Sequence, residues 1–85
     1  MVIDSERSLI GTKNSYIFLT PIENVIMTTF IERERANILD LVYILKPYKL
    51  TTSDIQNHIY QINKKQNEFK ISKVMTKIYE LKIIQ

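Results

Sequence analysis

The feature that most constrains this chain is a change of apolar rhythm in its second half. From Thr51 to Gln66 the isoleucines Ile55, Ile59 and Ile62 recur at helical spacing. From Lys70 to Leu81 apolar and polar residues alternate in steps of two, the period of a strand. No glycine or proline separates the two patterns. A polar, lysine-bearing helix must therefore run straight into a short basic β-hairpin that turns near Met75–Lys77 without a glycine.

The apolar seam of this helix is thin. Opposite it lie Ser53, Asn57, Tyr60, Gln61 and Lys64. A helix so patterned is half embedded in protein and half against something wet. In the hairpin, Ile71, Lys73, Met75 and Lys77 take one phase and Ser72, Val74, Thr76 and Ile78 the other, with Tyr79, Leu81 and Ile83 continuing the first.

The first half reads as a scaffold. Val2–Asp4 and Arg7–Ile10 are β-prone runs, Gly11-Thr12-Lys13-Asn14 is a turn signal, and Ser15–Leu19 is a strand with Tyr16 and Phe18 on one face and Ile17 and Leu19 on the other. Thr20-Pro21-Ile22-Glu23 opens a helix: Thr20 caps it, Pro21 suits the first helical position, and Glu23 closes a capping box. Ile22, Val25, Ile26 and Phe30 line one side, and the run Glu32-Arg33-Glu34-Arg35 ends the helix or forms the corner after it. A second helix is expected over Ala36–Leu45, with the stripe Ile38, Leu41, Val42 and Leu45, ended by Pro47. Thr51, Thr52 and Ser53 are alternative caps for the third. The predicted architecture is a single α+β domain, a winged helix-turn-helix with an N-terminal antiparallel β-meander, three helices and a C-terminal β-hairpin wing.

Composition sets the remaining bounds. With 85 residues and no cysteine, the domain must be held by its core alone. No apolar run nears the roughly 18 residues of a membrane span, and the N-terminus lacks a signal-peptide pattern, so a soluble, cytosolic chain is expected. Charge is uneven. Residues 1–42 hold four basic and six acidic side chains (net −2), residues 43–85 eight and three (net +5), together the formal +3. A basic half that also carries the polar helix suggests an anionic partner. No glycine-rich phosphate loop, nucleophile–base motif or metal-ligand spacing occurs, so neither an enzyme nor a bound cofactor is expected.

Taken in order, these residues resemble the winged-helix DNA-binding domain of OmpR-like response regulators and ToxR-like transcription activators. Val2-Ile3-Asp4 and Arg7–Ile10, then Leu19-Thr20-Pro21-Ile22-Glu23, look like the family's opening strands and its entry to the first helix. Ile38-Leu39-Asp40-Leu41-Val42-Tyr43 is similar to its second helix, with Tyr43 where tryptophan is usual. Ile55–Lys65, with its His-Ile pair and basic end, looks like the recognition helix, and Ile71-Ser72-Lys73-Val74 with Tyr79 and Leu81 matches the wing. The chain departs at Gln61 and Asn63, where arginines are usual, and at Thr76 and Ile78, where glycines flank the turn.

The resemblance implies a transcription regulator that binds double-stranded DNA, its third helix in the major groove and its hairpin along the backbone. It also implies contact of the loop Lys46, Tyr48 and Lys49 with RNA polymerase, and weak dimerisation on DNA. Met1 directly before the first strand is similar to the ToxR-like branch, in which a membrane tether follows the domain. A free-standing regulator is the other arrangement.

The expected DNA-facing set is Ser53, Gln56, Asn57, His58, Tyr60, Gln61, Asn63, Lys64, Lys65, Lys73, Thr76 and Lys77. Lysines supply salt-sensitive phosphate affinity. Amides pair with adenine edges, so Gln56, Asn57 and Gln61 point to A·T-rich sites. Tyr60 either touches a thymine methyl or phosphate or packs over a lysine stem. His58, the sole histidine, is placed by the resemblance near the groove edge and has no second ligand for a metal. The rival reading is a winged helix that has lost its recognition arginines and serves as a protein–protein interaction module.

Overall fold

A computed structural model describes residues 2–4, 6–7, 9–11 and 16–84, with the backbone alone at Val2 and Ile3. The fold is α+β, and its elements follow the expected order of meander, three helices and hairpin. The strands β1 (Val2–Asp4), β2 (Leu9–Gly11) and β3 (Tyr16–Phe18) form an antiparallel sheet in that order, with Ile10 facing Ile3 and Ile17. Ile10 is fully buried; Tyr16 and Phe18 share one face, as the alternation predicts, and it is the face toward solvent, while Leu19 is buried. The second strand starts at Leu9, not Arg7. Arg7 lies in the preceding turn and its N–H donates to Asp4 Oδ1 at 3.2 Å. The turn expected through Thr12, Lys13 and Asn14, and the strand start at Ser15, fall outside the described residues.

Helix α1 (Pro21–Arg33) begins with the expected capping box. Glu23 N–H donates to Thr20 Oγ1 at 3.2 Å, and Thr20 N–H donates to Glu23 Oε1 at 2.9 Å. The helix buries Ile26, Met27 and Phe30 and stops at Glu34, whose φ of 63° and ψ of −42° break the helical backbone.

The next element corrects the expected helix at Ala36. Arg35–Asn37 is a short strand, β4, and helix α2 spans only Ile38–Ile44. Each residue of β4 faces one in β6 (Ile78–Ile83): Arg35 faces Glu80, Ala36 faces Tyr79 and Asn37 faces Ile78. Ala36 favours a helix, but a half-buried ladder with an Arg35–Glu80 ion pair at 2.5 Å outweighs one residue's propensity. Asn37 then caps α2, its side chain accepting Leu39 N–H at 2.9 Å.

A single 3-10 turn (Lys46–Tyr48) and the left-handed Lys49 lead to α3 (Thr52–Lys64). Of the alternative caps, Thr51 is used, in a second capping box with Asp54. The strands β5 (Phe69–Lys73) and β6 form the hairpin, and the sheet order is β4-β6-β5. The hairpin is therefore rooted in a three-stranded sheet. One core joins Ile26, Met27 and Phe30 of α1, Leu41 and Leu45, the isoleucines of α3, and Phe69, Ile71 and Tyr79. Among the described residues, no helix is long and apolar enough to cross a membrane.

Candidate nucleic-acid interface

Helix α3 is seated by Ile55, Ile59 and Ile62, all buried. That fixes its rotation and turns two rows of side chains outward: Ser53, Asn57 and Gln61, and beside them Gln56, Tyr60 and Lys64. All six are exposed, Gln56 while bonded at its amide to Tyr79 of β6. The strip runs about 16 Å along the helix at about 1.5 Å per residue. At its C-terminal end Lys64 Nζ lies 5.8 Å from the centroid of the Tyr60 ring, a cation–π contact that holds the aromatic beside the ammonium. His58, half-buried, sits on the flank of the strip.

The hairpin is tied to α3 at two points. Gln56 Nε2 donates to the hydroxyl of Tyr79 at 3.1 Å, so β6 begins beside the N-terminal half of the helix. The second tie corrects the placing of Asn63 among the DNA-facing residues. Its amide is turned inward onto β5: Nδ2 donates to Ile71 O at 2.8 Å and Ile71 N–H donates to Oδ1 at 2.9 Å. β5 is an edge strand, and this amide occupies part of its free edge. Gln66 closes the connection in the same way. Its Nε2 donates to Phe69 O at 3.0 Å, and its Oε1 accepts Glu68 N–H at 2.8 Å and Phe69 N–H at 3.0 Å.

Lys65 is also corrected. Its ammonium forms an ion pair with Glu23, whose side chain is 3% exposed, and donates to Phe18 O at 3.3 Å. A buried carboxylate without a cation is costly, and Lys65 supplies one. The lysine therefore locks the end of α3 to the start of α1 instead of reaching outward with Lys64.

Lys73, Thr76 and Lys77 are exposed around the hairpin turn, and Lys70 is exposed farther down β5. No acidic residue lies between Phe69 and Tyr79. Beyond that stretch, Glu80 is paired with Arg35 and, at 3.5 Å, with Lys82. The hydrogen bond from Arg35 holds its carboxyl below the ordinary 4.5. On α3 itself, the bonds from Thr51 hold Asp54 below 3.8, so it stays ionised at the helix N-terminus. The positive side of the surface is thus the hairpin and the Lys64 end. Lys46, Tyr48 and Lys49 are exposed on the α2–α3 connection.

Two residues outside the expected set stand out at the hairpin turn. Val74 and Met75 are 40% and 62% exposed between Lys73 and Lys77. An apolar pair at the predicted turn, bracketed by lysines, was the available signal.

No family model, curated protein or solved structure matches this chain.

Proposed function

We propose that this chain is a sequence-specific DNA-binding domain of a transcription regulator, with α3 entering the major groove and the β5–β6 hairpin lying on the adjacent backbone. One observation carries the reading. The polar face of α3 is uncovered beside a hairpin whose turn bears only positive charge. A helix of about 10–12 Å diameter suits a major groove about 12 Å wide. Gln56, Asn57 and Gln61 would read adenine edges, giving a preference for A·T-rich duplex, and Lys64, Lys73 and Lys77 would meet phosphates. In the same reading the domain works in the cytoplasm, two copies associate weakly on DNA, and Lys46, Tyr48 and Lys49 touch RNA polymerase. A membrane tether outside this sequence is compatible with it.

Selection from a random duplex pool, followed by a salt series on the selected site, tests the proposal. Affinity should fall with a log–log slope of about −0.9 per phosphate met. Lys73→Ala/Lys77→Ala should flatten that slope by about 1.8 and weaken all sequences alike. Unchanged affinity and slope in that variant would remove the hairpin from the interface, and recovery of G·C-rich sites would count against amide readout.

A second reading, a protein-interaction module, is favoured by Leu39, Tyr43, Ile44 and Tyr48, which are all exposed on α2 and the turn after it. Absence of duplex binding, with salt-insensitive capture of a protein partner, would select it.

A further inference from the structure

The hairpin turn is closed by its own backbone hydrogen bonds. Val74 N–H donates to Ile78 O at 2.9 Å, Met75 N–H to the same oxygen at 3.3 Å, and Ile78 N–H to Met75 O at 3.3 Å. Every residue of the turn has negative φ, so it holds its shape without glycine. Its base is anchored as well, because Ile38 N–H at the start of α2 donates to Lys77 O at 2.8 Å. Exposed hairpin turns ordinarily carry Asn, Asp or Gly. Here a hydrogen-bonded tip presents Val74 and Met75 between Lys73 and Lys77.

An apolar point with cationic shoulders fits a partner that is anionic at its rims and apolar between them. The edge of a base stack lying between two phosphate rails has that chemistry. A two-stranded ribbon, with backbones about 4.8 Å apart before side chains are added, does not enter a minor groove about 6 Å wide. Its tip side chains can, and an unbranched methionine is the longest apolar probe available there. The position agrees. The Lys73–Tyr79 pair lies beside Gln56, so the tip projects next to the N-terminal half of α3, where a recognition helix meets base edges.

Resting on the DNA-binding reading above, we propose that Met75, backed by Val74, is a wedge that inserts from the minor groove between two base pairs and kinks the duplex at a flexible TpA step. Lys73 and Lys77 hold the phosphates on either side. Such steps unstack most easily, which adds shape readout to the adenine preference of α3.

The test uses the full chain and a set of short A·T-rich duplexes. Each carries one 2-aminopurine in a TpA step that is moved along the site, and fluorescent dyes at its ends. At saturation the wild type should raise 2-aminopurine emission several-fold at one step and bring the ends together by a bend of at least about 20°. Val74→Ser/Met75→Ser should bind several-fold more weakly and, when saturated, show neither signal. Met75→Leu should keep both. A melting curve for the serine variant separates loss of the wedge from loss of the fold.

If the wild type binds without either signal, or the serine variant still produces them, the wedge is overturned while DNA binding stands. If the wild type binds none of the duplexes, both proposals fall. Serine-sensitive binding to phosphatidylglycerol vesicles in that case would identify the tip as a lipid contact.

Discussion

Lys65 offers the sharpest separation between a lysine that meets a partner and one that holds the fold. Replacing it with methionine keeps much of the aliphatic stem but removes the ammonium from Glu23. The Glu23 carboxylate is 3% exposed and keeps the N–H of Thr20, a bond made within its own helix start. Breaking a buried ion pair by removing one partner costs about 3–5 kcal/mol when both groups are buried. The Lys65 side chain is 33% exposed, so water recovers part of the loss and about 2–3 kcal/mol is expected. For a domain of this size each kcal/mol moves Tm by about 4–8 °C, so the drop should be roughly 10–20 °C.

Thermal melts of four proteins make the assay: wild type, Lys65→Met, Glu23→Gln and the double variant. Glu23→Gln leaves an oxygen to accept Thr20 N–H but removes the stranded charge. On that background Lys65→Met should cost less than about 1 kcal/mol, giving a coupling of about 1.5 kcal/mol or more. Under the DNA-binding proposal, Lys65→Met below its melting range should bind duplex within about twofold of wild type, whereas Lys64→Met should reduce the salt slope by about 0.9. A Tm loss under about 3 °C, or an equal loss in both backgrounds, would refute the assignment of Lys65 to the fold.

Asn63→Ala should cost about 1–3 kcal/mol by stranding both Ile71 backbone groups, and hydrogen exchange should quicken most at the Ile71 amide. Glu34→Gly should raise stability by about 1 kcal/mol in denaturant titration, since φ of 63° with ψ of −42° strains a residue bearing Cβ; a loss would contradict that strain. Asp54 and Glu80 have folded pKa values below their ordinary 3.8 and 4.5. Their stabilisation is therefore complete above about pH 4.5 and is lost as pH falls through the lowered values, and Glu80→Gln should flatten the acid limb of a Tm–pH curve.

What the sequence revealed was mostly local. Thr20, Pro21 and Glu23 lie within four positions, and a capping box needs nothing farther away. The stripes of α2 and α3 and the alternation of β5 and β6 are likewise read within a few turns or residues. β4 escaped because Arg35–Asn37 is three residues with little strand propensity, made a strand only by partners at Ile78–Glu80. The same distance hid the second role of Glu23. Its place in the cap is written beside it, but the lysine that neutralises it comes 42 positions later.

The amides give the instructive ambiguity. Gln56, Asn57, Gln61, Asn63 and Gln66 carry the same donor–acceptor pair, and that pair matches an adenine edge as well as it matches a peptide group. Composition cannot divide them, but rotation about α3 can. Asn63 lies next to the buried Ile59–Ile62 side and closes on β5, Gln66 folds the turn beyond the helix, and Asn57 and Gln61 stand on the far side. Gln56 lies between these groups, exposed yet bonded to Tyr79. It therefore couples the helix that would read bases to the hairpin that would grip the backbone. A substitution there, such as Gln56→Ala, should disturb both helix and hairpin contacts at once, whereas Asn57→Ala should alter sequence preference alone. Equal effects of the two on hairpin-dependent salt slope and on base preference would mean that helix and hairpin are not coupled through this bond.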